Sequence, residues 1–575
     1  MSNFFTDNKD LVFTLNNLDL EEVVKLRENN YEQSKVFDHA PENLKDAFDS
    51  YKRVLEVVGD VTGERIEPRA RTIDEEGPQF ANNKVTYHPL TVKNLEDIRK
   101  ADINGVMLPR QYGGLNFPVT IYTMMTEMVS RADASLQNLF GLQDIAETIC
   151  EFGSEDQRKR FLPRFACGEA DGSMDLTEPD SGSDLQSVRL KATLDEKTGK
   201  WYLDGMKRFI TNGCAKVHLV LARSEEGTSD GRGLSMFICE ACPELVVRRI
   251  EHKLGIHGVA TAELQYNHVP AELCGLRKRG LTKYVMGLMN GARVAISAQA
   301  LGIAEASYRE AKKYAAEREQ FKSSIDKFPA VYSMLAGMKI RIMAARTLLY
   351  ETTKIVDLRN SYTSIVEHAA KPEDVSLEDR QNQKLYSKVA SVLTPMSKAY
   401  ATETANSVAY ESIQIHGGTG YMKDFNAERF YRDARITNIY EGTTQLQHVA
   451  AIGGIVQRVL DPIMDKYAKL PSHGKLKRLS GILDEMRKKQ QQAVRYVFDK
   501  KDTTYYDLVT KHLVNMETYT FVGYLMLRDA LKAQERENFA ERFILDSAYE
   551  FDKCFSIVMS GDITIIDNHR ELLDY

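Results

Sequence analysis

The chain changes its hydrophobic period twice, and this limits its fold more than any other feature. From about 41 to 168 the pattern is helical, as in Ile121-Tyr122-Thr123-Met124-Met125-Thr126-Glu127-Met128-Val129, where apolar residues recur at three- and four-residue spacing. Pro109, Gly113 and Gly114 break these helices. From about 170 to 275 short β-type runs alternate with turns: Leu190 to Leu194, Trp201 to Leu203, Val217 to Ala222, Leu234 to Ile238, Leu245 to Ile250 and Ala262 to Tyr266. No helix of useful length separates them, which argues against a parallel doubly wound sheet and predicts a compact antiparallel sheet or barrel. After about 280 the chain is helical again, with Met289, Ile296, Ala300 and Ile303 on one face of a long helix.

This order predicts an α+β chain with five parts. Residues 1–40 form an arm or one or two helices, 41–168 a helical domain, 169–278 the β domain, 279–460 a helical bundle, and 461–575 a helical extension. A polar stretch, Glu367 to Gln383, reads as a loop between helices, and Pro395 implies a kink or break in the helix after it.

With 76 basic and 82 acidic residues in 575, the net charge is −6, and the composition is that of a soluble globular protein. From Asp461 to Tyr575 there are 18 basic and 19 acidic residues, so the extension carries no basic excess and nucleic acid is not expected as a partner. No apolar run reaches the ~20 residues needed to span a bilayer. Seven scattered cysteines read as a reducing, cytoplasmic setting. Cys239 and Cys242 form a single C-x-x-C without a second pair at ligand spacing, so no metal site is expected.

Five segments carry chemistry. Tyr440-Glu441-Gly442-Thr443-Thr444-Gln445 places one carboxylate on a turn where glycine permits close backbone approach, with Thr443 and Gln445 as short polar donors. Asp175-Leu176-Thr177-Glu178-Pro179-Asp180-Ser181-Gly182-Ser183-Asp184 can offer backbone and hydroxyl donors from Gly182 and Ser183, or act as a turn that caps its neighbours. Phe209-Ile210-Thr211-Asn212-Gly213 is a strand end or an ordinary hairpin turn. In Glu317-Arg318-Glu319-Gln320-Phe321, Arg318 suits a phosphate by its charge and planar fork, although such a segment is also common surface chemistry. Gln414-Ile415-His416-Gly417-Gly418-Thr419-Gly420 frees backbone N–H groups for a diphosphate outside any βαβ unit, and His416 reads as a packing or capping residue.

In this order and context the segments resemble those of the acyl-CoA dehydrogenases, and in particular the long bacterial members with a C-terminal helical extension. The resemblance covers roughly residues 45 to 460 closely and the extension more loosely. It implies a helical domain, a β-barrel, a helical bundle and an added helical domain. It implies FAD as cofactor, held by Leu176, Thr177, Gly182, Ser183, Phe209, Thr211, Arg318, Gln320, Phe321, Gln414, Gly417, Gly418, Thr443 and Gln445. Phe209 covers a ring face, where the family often has Trp. Thr211 donates at the flavin N5 side, and Arg318 and the 414–420 segment hold the pyrophosphate and adenine nucleotide across a subunit interface. Lys322 stands where that pattern usually has Gly.

The implied reaction is α,β-dehydrogenation of an acyl-CoA to a 2-enoyl-CoA. Glu441 removes the α-proton, its backbone N–H and a cofactor hydroxyl bind the thioester oxygen, and the β-hydride passes to flavin N5. Apolar surroundings are expected to raise Glu441 above the ~4.3 of a free glutamate. Ser183, Arg293, Tyr440 and Gly442 are the substrate-side candidates, with a helix ion pair the other reading of Arg293. Ala292 stands where some relatives carry the base, and alanine cannot serve. Further expectations are electron-transfer flavoprotein as acceptor and a homodimer or homotetramer. The alternatives are a flavoprotein of the same fold with another role, an alkylation-response DNA-associated protein or a flavin oxidase, and a non-catalytic interaction protein.

Overall fold

A computed structural model describes residues 2–141, 144–369 and 371–574. It divides into two compact units: Met1–Leu15, Asp19–Arg318 and Ala405–Thr437 form the first, and Asn16–Leu18, Glu319–Thr404 and Asn438–Tyr575 the second.

The first residues are bound helices rather than a loose arm. Helices Lys9–Asn17 and Glu21–Arg27 bury Leu11, Val23 and Val24, the apolar patches visible in sequence. Arg131 pairs with Asp7 at 2.6 Å, and Arg110 pairs with Glu28 at 2.7 Å with both side chains buried. The helix Val119–Ala132 is buried on every side, because the long helix Met286–Glu317 packs on it together with the helices Leu44–Asp60 and Ala134–Gly141. Gly302 makes that approach possible: a Cβ there would lie 2.5 Å from the Glu127 carbonyl oxygen.

The β domain has seven strands: Gly172–Asp175, Lys191–Asp195, Lys200–Thr211, Val217–Arg223, Leu234–Glu240, Leu245–Ile250 and Thr261–Cys274. Val217–Arg223 pairs with Leu234–Glu240 and, through Lys191 and Arg223, with Lys191–Asp195; this closes the sheet into a barrel. The expectation of a wholly antiparallel arrangement is corrected at two places. Gly172–Asp175 lies parallel to Val217–Arg223, and so does the Lys191 bridge. The chain enters the barrel from a helix rather than a hairpin, so its first strand is free to pair in parallel. Val217–Arg223 is buried on both faces: Val220 and Ala222 face the barrel core with Phe237 and Tyr266, whereas Leu219 and Leu221 pack with Ile149 and Phe165 of the helical domain. This explains its continuous apolar run.

In the second unit the helix Pro329–Glu367 ends where the polar loop is expected to begin, but the next helix starts at Leu377, so the loop shrinks to residues 368–376. Pro395 does not break the helix Leu377–His416. The carbonyl that loses its donor is that of Ser391, an exposed residue. The extension contains Asp461–Ala468, Gly474–Lys500, Thr503–Lys532, Glu537–Ser560 and Thr564–Asp574. It shares a buried polar network with Pro329–Glu367: Arg528 donates to Glu351 at 2.6 Å, Tyr467 donates to Glu351 at 2.7 Å, and Thr347 donates to Asp529 at 2.8 Å. Burial would raise the Glu351 carboxyl, but Lys354 and Arg528 outweigh it and hold the group at about 2.

Candidate active site

The barrel rim carries two of the segments. Leu176 is buried and Thr177 half-buried, and the Thr177 carbonyl accepts the Arg208 N–H at 2.9 Å. Behind them Lys207, fully buried, donates to the Leu176 carbonyl at 2.8 Å and to Glu178 at 2.9 Å. Glu178 also accepts from the Arg189 and Leu190 N–H groups at 2.7 and 2.9 Å. Gly182 and Ser183 are exposed, and a Cβ at Gly182 would meet nothing within 4 Å. The capping reading holds one residue further on, where Asp184 accepts from the Gln186 N–H at 3.2 Å.

Phe209 sits in a bulge of its strand with φ of 60°, and its ring is 52% exposed beneath the Arg208 guanidinium at 4.6 Å. Thr211 is half-buried and its carbonyl accepts from Ser173 at 3.3 Å. Asn212 is buried: it accepts from the Tyr87 hydroxyl at 2.8 Å and donates to Asp171 and Gly172 at 2.9 and 3.0 Å. This Asn-Gly therefore locks the strand end to the strand beside it. Below the rim lies a network that gave no sequence signal. His218 faces Asp175 at 2.8 Å and the Ala215 carbonyl at 3.0 Å, while Ser173 and Tyr266 both donate to Asp175. Burial alone would lower the His218 pKa; the Asp175 carboxylate overrides it and raises it.

Arg293, on the helix Met286–Glu317, is buried and donates to Asn290 at 3.1 Å; Ala292 beside it is buried too. Arg318, just past the end of this helix, is exposed. The following hairpin, Glu319–Gln320 with Ser323–Ser324, turns through Phe321 and Lys322 at φ of 53° and 66°. Lys322 thus adopts the left-handed turn that a glycine would otherwise supply, and Phe321 is 90% exposed at its tip. Gln414, Gly417 and Gly418 are exposed, and neither glycine has any atom within 4 Å of a would-be Cβ. His416 stacks on Tyr314 with ring centroids 4.3 Å apart, and its Nδ1 donates to the Ser412 carbonyl at 2.7 Å, which is packing as expected.

In the second unit Glu441 is half-buried on the loop between helices Ala427–Thr437 and Thr444–Val456, with φ of 52°, and Gly442 follows at 91°. Thr443 caps the second helix, accepting from the Leu446 N–H, while Gln445 is exposed. Three side chains that the sequence did not single out fasten this loop. Lys398, fully buried, donates to the Tyr440 and Gly442 carbonyls at 2.6 and 2.5 Å. Gln447 donates to the Glu441 and Gly442 carbonyls at 3.2 and 2.8 Å. Glu403 accepts from Asn438 at 3.0 Å and from Thr444 at 2.7 Å.

A half-exposed aromatic residue such as Phe209 suits a flat ring system, and the open backbone at Gly417 and Gly418 suits a diphosphate. Three family models of the acyl-CoA dehydrogenases, the N-terminal, middle and C-terminal domains, match residues 49–169, 173–269 and 279–453. A fourth, acyl-CoA dehydrogenase C terminal, matches 460–563. An acyl-CoA dehydrogenase of Bacillus subtilis is 36% identical over 363 residues, 62% of this chain and 87% of the relative. A chain solved in work on the electron transferring flavoprotein of Acidaminococcus fermentans superposes with a TM-score of 0.60 at 30% identity, covering 70% of this chain and 97% of that one. An acyl-CoA dehydrogenase of Bacillus anthracis, solved with FAD, gives 0.76 at 22% identity over 89% of both chains, a likeness of fold. The chain belongs to the acyl-CoA dehydrogenase family. It is an FAD-dependent oxidoreductase acting on CH–CH bonds.

Proposed function

We propose that the chain converts an acyl-CoA thioester to the 2-enoyl-CoA with Glu441 as the base. The observation that supports this is the loop itself: it holds Glu441 in a left-handed conformation, with three consecutive carbonyls, 440 to 442, tied down by Lys398 and Gln447. Such anchoring fixes the backbone from which the Glu441 carboxylate extends, the first requirement for a positioned base. The Glu441 backbone N–H binds the thioester oxygen, where enolate charge develops. Bound FAD supplies the two-electron acceptor for the β-hydrogen. Phe209 and Thr211 contact its ring, Leu176, Thr177, Gly182 and Ser183 its edge, and Arg318, Gln320, Phe321, Gln414, Gly417 and Gly418 its nucleotide portion. Thr443 and Gln445 complete the cofactor set, and Ser183, Arg293, Tyr440 and Gly442 face the substrate.

We assign the domain limits read from the sequence, a homodimer or homotetramer, electron-transfer flavoprotein as acceptor, and the cytoplasm as location. Phe321, Tyr421 and Met422 are exposed apolar groups that a second copy would cover. The seven cysteines are unpaired, as a reducing setting requires. Among the described residues no helix is long and apolar enough to cross a membrane.

The test is anaerobic flavin absorbance against short, branched, cyclic, aromatic and dicarboxylic acyl-CoAs. One class should bleach the oxidised flavin, and Glu441→Gln should slow bleaching about 10³-fold or more. Bleaching at an unchanged rate in that variant would remove Glu441 as the base.

A further inference from the structure

We propose that Lys398 is an electrostatic positioning residue for the thioester oxygen, acting through the peptide that joins Tyr440 to Glu441. The inference rests on the reading of the Glu441 loop given above. The Tyr440 carbonyl and the Glu441 N–H belong to one planar peptide, so charge placed on one end is felt at the other. Lys398 donates to that carbonyl at 2.6 Å from a side chain with no solvent exposure. A cationic donor there withdraws electron density along the amide and strengthens the N–H as a donor, a cooperative effect that a buried setting favours. Its second bond, to the Gly442 carbonyl at 2.5 Å, spans the left-handed pair Glu441 and Gly442 and holds the peptide's direction.

Lys398 therefore does two things with one ammonium group. It orients the oxyanion donor, and it raises that donor's strength where enolate charge accumulates. Gln447 supports the geometry from the other side through the Glu441 and Gly442 carbonyls, but as a neutral amide it contributes orientation more than field. Removing one preorganised oxyanion donor costs about 10²–10³ in kcat, and weakening one should cost part of that.

The experiment uses full-length, flavin-loaded protein carrying Lys398→Met or Lys398→Gln, with Glu441→Gln as a separate variant. A bound 2-enoyl-CoA serves as a non-reacting probe, and its thioester C=O stretch is read by difference infrared spectroscopy. The expected result is a stretch displaced to low frequency in the wild type and in Glu441→Gln, and returned toward its free value in Lys398→Met. Lys398→Gln should lie between them, with kcat reduced about 10- to 100-fold in Lys398→Met and the loss smaller in Lys398→Gln. A folded Lys398→Met with an unmoved stretch and kcat within about threefold of wild type would overturn the proposal. So would loss of flavin and fold in both Lys398 variants, which would make the lysine a structural residue only. Glu441→Gln that still turns over would defeat the base assignment alone, because the carbonyl stretch reports the 440–441 peptide and not the carboxylate.

Discussion

Two buried lysines do the same local job in different units, each tying down backbone carbonyls of a candidate segment, but in different surroundings. Lys207 reaches the Leu176 carbonyl below the barrel rim and shares its charge with Glu178 at 2.9 Å. Lys398 reaches the Tyr440 and Gly442 carbonyls of the Glu441 loop. The rim is also held by strand pairing, so its left-handed residue, Phe209, sits in a bulge that the barrel itself defines. The Glu441 loop has no strand on either side and depends on side chains reaching in from the helices Leu377–His416 and Thr444–Val456. Loss of the first lysine should therefore cost mainly stability, and loss of the second mainly rate.

Lys207→Met is the strongest way to break this contrast. It leaves Glu178 buried without its cationic partner, which should cost about 3–5 kcal/mol in chemical denaturation and weaken flavin retention. If it lowered kcat and spared stability, the two lysines would not differ as described. Gly442→Ala probes the other member. Its Cβ would lie 2.7 Å from the Gln447 amide nitrogen, at a residue with φ of 91°. Turnover should fall about 10- to 100-fold with little change in denaturation midpoint.

The smallest effect comes from a third buried group. Burial, reinforced by Asp461, pushes the Glu517 carboxyl up to about 8. The folded protein then keeps a proton that the unfolded chain releases near the ordinary value of 4.5, so stability falls as pH rises between about 4.5 and 8. Glu517→Gln should flatten that slope and raise the melting temperature by a few degrees at pH 8, with little gain at pH 5.

The sequence makes some of these features legible and hides others for a physical reason. The barrel shows through its alternating runs, and the Glu441 turn through Gly442 and its polar neighbours. The strand Thr261–Cys274 is read only as Ala262 to Tyr266, where its apolar alternation stops; the structure keeps the strand running with His268 at φ of 59°. Gly172–Asp175 is too brief to register as a strand. Lys398 and Glu403 carry no local signature, since their partners lie 35 to 44 residues away in the chain, and Gln447, five residues from Gly442, reads as an ordinary polar helix residue. The one hint is a lysine set among mostly small or apolar residues, from Val392 to Ser397 and from Ala399 to Ala401.

Anchoring a loop from a helix and from a strand also makes chain length a constrained quantity. Lys398 and Glu403 stand five residues apart on one helix, and both grip the 438–444 loop. A residue inserted or deleted between them would swing one anchor about 100° around the helix axis. A single-residue slip at Lys207 would turn its side chain to the opposite face of the sheet. A substitution removes one contact and leaves the register of the others, whereas an insertion or deletion displaces an anchor as a whole. Variants of this chain that differ in length should carry the difference in connections such as 469–473, away from both lysines.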